Sequence, residues 1–205
     1  RGIAEWPIRE SYELVSLNRL ELLSVGRLVE KKGYYNQLQI AANLRSRDLP
    51  FRLRIVGTGP LEKSLLKERN RLNLEGFVEF TGGKPEKEVR EFYQQSDAFL
   101  FTGIIAQNGD RDGIPNVIPE AMSAGCLILA SVYAGASEAF EEDVSGFSLN
   151  PGNPEKWVSI LEEFWESPKS YELTRKRAMM YAKEAFDVRK TVNSFYRVIE
   201  GLVDR

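Results

Sequence analysis

The sequence predicts an α/β domain: a doubly wound, Rossmann-like parallel sheet of about six strands, followed by C-terminal helices. Three observations lead there. Short apolar runs alternate with amphipathic stretches along the first three quarters of the chain. That alternation stops at Asn150-Pro151-Gly152-Asn153-Pro154, after which apolar residues recur only at helical spacing. Finally, 205 residues with 42% hydrophobic content suffice for one sizeable core but are short for two domains, so residues 1–205 are expected to form a single domain.

The strands are expected at Leu20 to Val25, Phe51 to Val56, Phe77 to Phe80, Ala98 to Phe101, Leu127 to Ala130 and Gly146 to Leu149. Helical patterns fall between them near residues 34–46, 60–72, 85–95 and 116–124. A βαβα order of this kind places ligands beyond the carboxyl ends of the strands. Past Pro154, Trp157, Ile160, Leu161, Phe164 and Trp165 form a stripe that reads as core. A last helix, Thr191 to Val203, puts Val192, Phe195, Tyr196, Ile199 and Val203 on one face that needs a partner.

Composition narrows the chemistry. The 28 basic and 30 acidic residues leave a formal charge of -2, so no global field draws the protein to nucleic acid, and any basic site must be local. The single cysteine, Cys126, lies in an apolar run and reads as a small buried hydrophobe in a reducing compartment. No stretch approaches the roughly 18 apolar residues of a membrane span, and Glu5, Arg9 and Glu10 interrupt any signal-peptide core. A cytoplasmic domain is expected, with peripheral association of a longer parent enzyme at the inner membrane face left open. Histidine is absent, which removes the commonest neutral-pH base and transition-metal ligand; the chemistry falls to carboxylates, cations and backbone.

Two loops carry that chemistry. After the first strand, Gly26-Arg27-Leu28-Val29-Glu30-Lys31-Lys32-Gly33 sets Arg27 and Lys32 five residues apart at a tight turn, a pair suited to a diphosphate. After the fourth, Asp112-Gly113-Ile114-Pro115-Asn116-Val117-Ile118-Pro119-Glu120-Ala121 leads into a helix with Asn116 as its expected N-cap. The amides from Gly113 to Val117 then offer partial positive charge to phosphate oxygens. Glu120 is placed to accept two hydrogen bonds from the vicinal hydroxyls of a ribose, and Asp112 is left for the sugar.

Taken with Gly57-Thr58-Gly59-Pro60 after the second strand and with Ala121-Met122 after the second acid, these motifs make the chain resemble the retaining glycosyltransferases of the GT-B fold, family 4. The resemblance runs from about Leu20 to the C-terminus. It implies that Arg27 and Lys32 hold the diphosphate of a nucleotide-sugar donor, UDP- or GDP-linked, and that Glu120 holds the ribose. Backbone at Gly113, Ile114, Asn116 and Val117 would contact phosphate and sugar, Gly26 and Gly57 would line the turns, and Gly83 and Lys84 would approach the base. Catalysis is assigned to Arg27, Lys32 and Asp112: Arg27, Lys32 and the helix amides stabilise the departing charge, Asp112 contacts a donor hydroxyl, and the leaving phosphate assists deprotonation of the acceptor. No metal and no cofactor are expected. Such an enzyme has two domains, so the resemblance also implies an N-terminal acceptor-binding domain missing from this sequence, an isolated domain without activity, and a polysaccharide or glycolipid precursor as acceptor.

One departure stands out: the family places glutamate where this chain has the shorter Asp112, which keeps open a non-catalytic nucleotide-sugar-binding or interaction module of the same fold. Two other readings fail on their residues. Gly57-Thr58-Gly59 opens like a dinucleotide fingerprint, but Glu62 stands where a third small residue is needed. Asp110-Arg111-Asp112 has the look of a metal-binding Asp-x-Asp pair, but Asp112 already belongs to the two-acid motif.

Overall fold

The computed structural model describes residues 9, 11–133 and 135–186. Six strands, β1 (Leu20–Val25), β2 (Phe51–Val56), β3 (Val78–Gly82), β4 (Ala98–Phe101), β5 (Leu127–Ser131) and β6 (Phe147–Leu149), form one sheet in the order β3-β2-β1-β4-β5-β6. Every pairing is parallel. The chain winds outward from β1 in one direction and from β4 in the other, so the switch point lies between these two strands. The doubly wound α/β fold read from the sequence is the fold observed.

Helices cover both faces. On one, α1 (Tyr34–Ser46), α2 (Glu62–Arg71) and α5 (Pro154–Glu166) bury Leu38, Leu65, Trp157, Leu161 and Phe164 against Leu20, Leu22, Leu53 and Ile55. On the other, α3 (Glu86–Gln94), α4 (Val117–Ser123) and α6 (Glu172–Ala185) pack Tyr93, Ile118, Met122 and Ala178 against Leu23, Phe99 and Ile128. With helices on both faces, β4 and residues 127–130 of β5 read as unbroken apolar runs, whereas β1 and β2 are interrupted by Glu21, Arg52 and Arg54, the carboxylate pairing with both guanidiniums. The aromatic stripe of α5 is core as expected, with Trp157, Leu161 and Phe164 fully buried and Ile160 and Trp165 packed at its margin. Cys126 is buried and free, and burial pushes its thiol up to about 11, in keeping with an inert hydrophobe. No helix among the described residues is long and apolar enough to cross a membrane. The expected helix from Thr191 to Val203 lies outside the described residues.

Several boundaries differ from the sequence reading: β5 runs on to Ser131, β6 begins at Phe147 and not Gly146, and the shifts in the third strand and second helix have a visible cause. The third strand begins at Val78, not Phe77, and extends to Gly82. Phe77 closes the preceding turn by donating its N–H to Leu74 O, while its ring stacks on Phe51 at 5.3 Å. The second helix begins at Glu62, because Pro60 and Leu61 remain in a turn whose Leu61 N–H reaches back to Leu28 O at 3.1 Å.

A buried guanidinium ties the start of the described chain to its end. Arg175 on α6 is wholly buried and donates to Gly125 O at 2.8 Å and Tyr12 O at 2.7 Å, its plane lying between the Tyr12 and Phe164 rings. Burial lowers its pKa to about 10, so it remains a cation at neutral pH. Nearby, Asp97 accepts the Val15 and Glu21 amides at 2.8 and 2.9 Å, fixing the entry to β1.

Because all strands run parallel, the loops after β1, β2, β3 and β4 share one edge of the sheet, and two of the contacts there are backbone against backbone. A Cβ at Gly57 would lie 2.0 Å from Gly26 O, and one at Gly33, which has φ +66°, would lie 1.9 Å from Thr102 O. Gly57→Ala is therefore expected to lower unfolding free energy by more than about 2 kcal/mol, whereas Gly83→Ala, whose Cβ would meet only Thr58 Cγ2 at 3.6 Å, should cost less than about 1 kcal/mol. Denaturant unfolding of the two variants checks this, and equal losses would contradict the close approach.

Candidate donor site at the carboxyl edge of the sheet

The loop after β1 folds into a 3-10 turn at Glu30–Lys32 that Gly33, in the left-handed region, both ends and joins to α1. This turn docks on the loop after β4. Lys31 O accepts the Ile104 N–H at 2.9 Å, Thr102 Oγ1 donates to Gly33 O at 2.9 Å, and the Glu30 carboxylate accepts the Gln107 N–H at 3.0 Å. The two loops singled out in the sequence, 86 residues apart at Gly26 and Asp112, thus meet at the switch point.

Their charges meet as well. Lys32 Nζ lies 2.8 Å from Asp112 Oδ2, with both side chains nearly enclosed at 16% and 14% exposure. The ammonium also sits 5.2 Å over the Phe101 ring. The Lys32–Asp112 contact is thus a close, nearly enclosed ion pair. The other oxygen, Oδ1, faces Lys31 Nζ at 3.4 Å, and Lys31 in turn donates to Asp110 Oδ1 at 3.1 Å. That hydrogen bond raises the Lys31 pKa above its ordinary value, which keeps it charged. Asp110 and Asp112 therefore converge on a lysine; among the described residues no group of three or more acids, cysteines or histidines is placed to hold a metal ion.

Arg27 is exposed beside this cluster and makes no ion pair or side-chain hydrogen bond with any described residue. Gly113, Ile114 and Asn116 are also exposed, and their amides and that of Val117 have no partner among the described residues. The N-cap expectation needs correction. Asn116 stands at that position, but its side chain makes no capping bond, because its backbone is already helical at φ -56° and ψ -29° and capping requires an extended residue there.

Glu120 lies in the first turn of α4, half-buried, and Oε2 accepts the Tyr93 O–H at 3.0 Å. Burial raises its carboxyl pKa, against the lowering effect of that hydrogen bond. Gly83 packs on Thr58 of the Gly-x-Gly-Pro turn, bringing the loop after β3 beside Gly57, and Lys84 pairs with Glu88 at 3.3 Å. All the residues picked out in the sequence hence lie along one edge. Lys31 and Tyr93 are additions. The first was legible as a tandem cation facing two nearby acids; the second left no local signal, since on α3 it reads as an ordinary apolar-face residue. A groove of about 600 Å³ at the opposite edge, lined by Ala42, Arg45, Asp48, Pro50 and Phe77 among others, contains none of these residues.

Comparison with known proteins identifies the family and the fold. Residues 10–184 match the family described as Glycosyl transferases group 1. The amylovoran biosynthesis glycosyltransferase AmsK of Erwinia amylovora is 34% identical over 142 residues, covering 69% of this chain and 35% of AmsK. The crystal structure of HepE from Anabaena in complex with UDP-glucose superposes with a TM-score of 0.79 at 23% identity, over 90% of this chain and 49% of that one. A C-terminal domain of a glycosyl transferase group 1 family protein from Francisella tularensis superposes at 0.71 with 16% identity, over 82% of this chain and 87% of that one. The chain thus spans about a third of a curated relative and most of an isolated C-terminal domain.

The Glu120 geometry has a measurable consequence. Its folded-state carboxyl is raised above the ordinary 4.5, so below that value both folded and unfolded states are protonated, and the cost of burying the carboxylate appears only as pH rises through the folded pKa. Glu120→Gln, which keeps an acceptor for Tyr93, should stabilise the fold at about pH 7 relative to the parent, with the advantage shrinking toward about pH 4. Chemical unfolding at both pH values tests it; a pH-independent difference would contradict the assignment.

Proposed function

Because the chain belongs to the glycosyl transferases group 1 family, we propose that it is the nucleotide-sugar-binding half of a retaining, family 4 glycosyltransferase of the GT-B type. The observation that carries this reading is the meeting of Lys32 and Asp112 at the switch point, with Arg27 in the same loop as Lys32 and the amides of Gly113, Ile114, Asn116 and Val117 next to Asp112 all without a partner among the described residues. A diphosphate at that spot takes two cations and a set of amide donors, and a UDP-glucose complex is known for the structural neighbour HepE. The Asp112 carboxylate, which has lone pairs beyond those facing Lys31 and Lys32, suits a hydroxyl of the transferred sugar. Glu120, set by Tyr93, suits the ribose diol, and Gly83 and Lys84 flank the place left for the base.

In this reading Arg27, Lys32 and the amides stabilise charge on the departing nucleoside diphosphate as the anomeric carbon becomes cationic. No residue of the edge is asked to be a covalent nucleophile, and the reaction needs neither a metal nor a cofactor. The acceptor, a polysaccharide or glycolipid precursor in keeping with the amylovoran relative, is bound by a further domain, in line with AmsK being far longer than this chain. We place the enzyme in the cytoplasm, where nucleotide sugars are its substrates.

Calorimetric titration with UDP, GDP and ADP, then with their sugar conjugates, tests the proposal. One base should bind saturably, and Arg27→Ala or Lys32→Ala should each weaken it by about 2 kcal/mol, roughly thirtyfold. Glu120→Ala should cost more against a ribonucleotide than against its 2′,3′-dideoxy analogue, since only the first loses diol contacts. If no nucleotide binds the protein at its natural length, the donor-site reading fails. Binding without sugar transfer would instead mark a module that kept the site and lost the reaction.

A further inference from the structure

The ion pair that encloses Lys32 raises a question of charge. A diphosphate that recruits Lys32 takes from Asp112 its nearest cation and leaves a carboxylate, 14% exposed, beside new negative charge. Among the described residues one other cation touches Asp112: Lys31, whose Nζ lies 3.4 Å from Oδ1. Lys31 is held for that task. Its carbonyl accepts the Ile104 N–H at 2.9 Å, and its ammonium donates to Asp110 at 3.1 Å, so backbone and side chain are both fixed against the loop that carries Asp112.

Building on the donor-site reading, we propose that Lys31 is the counter-ion that retains Asp112 when Lys32 turns to a diphosphate, a positioning residue that strengthens donor binding while touching no phosphate itself. Without Lys31, Asp112 has Lys32 as its sole cation and competes with the diphosphate for it. With Lys31, which Asp112 shares with Asp110, the loss of Lys32 still leaves Asp112 one cation in contact and in place for the sugar. The free site is self-neutralised, and donor binding is an exchange of partners among two lysines, a carboxylate and a phosphate.

This assigns the effect of Lys31 to Asp112 alone, which a double-mutant cycle with UDP as probe resolves, repeated with GDP and ADP where UDP does not bind. Lys31→Met, with Lys31→Gln as a second variant should the first fold poorly, is expected to weaken binding about tenfold in the parent and less than about twofold in an Asp112→Asn background. Lys31→Arg should restore affinity to within about twofold of the parent. Asp112→Asn alone should bind the nucleoside diphosphate at least as tightly as the parent, because it frees Lys32. An equal loss in both backgrounds would show direct phosphate contact or a general structural role and overturn the proposal, as would no loss in either. A parent protein that binds no nucleoside diphosphate would overturn the donor-site reading first and this inference with it.

Discussion

Backbone packed on backbone at the carboxyl edge of the sheet is the constraint from which the site follows. The Gly57 α-carbon lies against the Gly26 carbonyl and the Gly33 α-carbon against that of Thr102, so the loops after β1, β2 and β4 stack with no side chain between them. Such contacts set loop position by hard-core repulsion, which is steeper than any charge interaction. The Lys31–Lys32 turn is consequently pressed against residues 102–107, and cations and acids distant in the sequence meet at fixed separation.

On that rigid frame the electrostatics are arranged against stability and toward binding. Glu120 is a carboxylate whose burial costs free energy, offset in part by the Tyr93 hydroxyl. Asp112 is held between two lysines at 2.8 and 3.4 Å, and the amides of Gly113, Ile114, Asn116 and Val117 have no partner among the described residues. A fold optimised for stability alone would meet such donors internally.

Much of the architecture was legible because parallel strands covered on both faces are written as largely apolar runs bounded by glycine: β1, β2 and β4 have the limits read from the sequence. The third strand was misplaced at its start because Phe77 is apolar for a different reason, its stacking on Phe51 beneath the strand end. Motif spacing pointed to Arg27, Lys32, Asp112 and Glu120, which the fold brings to one edge, yet said nothing of Lys32 pairing with Asp112, which depends on loops meeting across the switch point. Tyr93 shows the same limit. Its helix displays an ordinary apolar face, and only tertiary packing turns its hydroxyl to Glu120. Asn116 erred the other way: the residue type fitted a cap, but helical torsions at that residue left the side chain nothing to cap.

Arg175 bears on where this unit can be divided. Sequence periodicity would draw its border at Leu20, where the sheet begins, but the guanidinium on α6 closes its hydrogen bonds on Tyr12, eight residues upstream. Excision at the strand would delete that carbonyl and the Tyr12 ring, leaving a buried cation with Gly125 as its single hydrogen-bond acceptor, an injury on the order of 3–5 kcal/mol to a fold whose core residues are all retained. The minimal inheritable piece of this protein is accordingly larger than its sheet and helices, and recombination between relatives is favoured at junctions upstream of Tyr12.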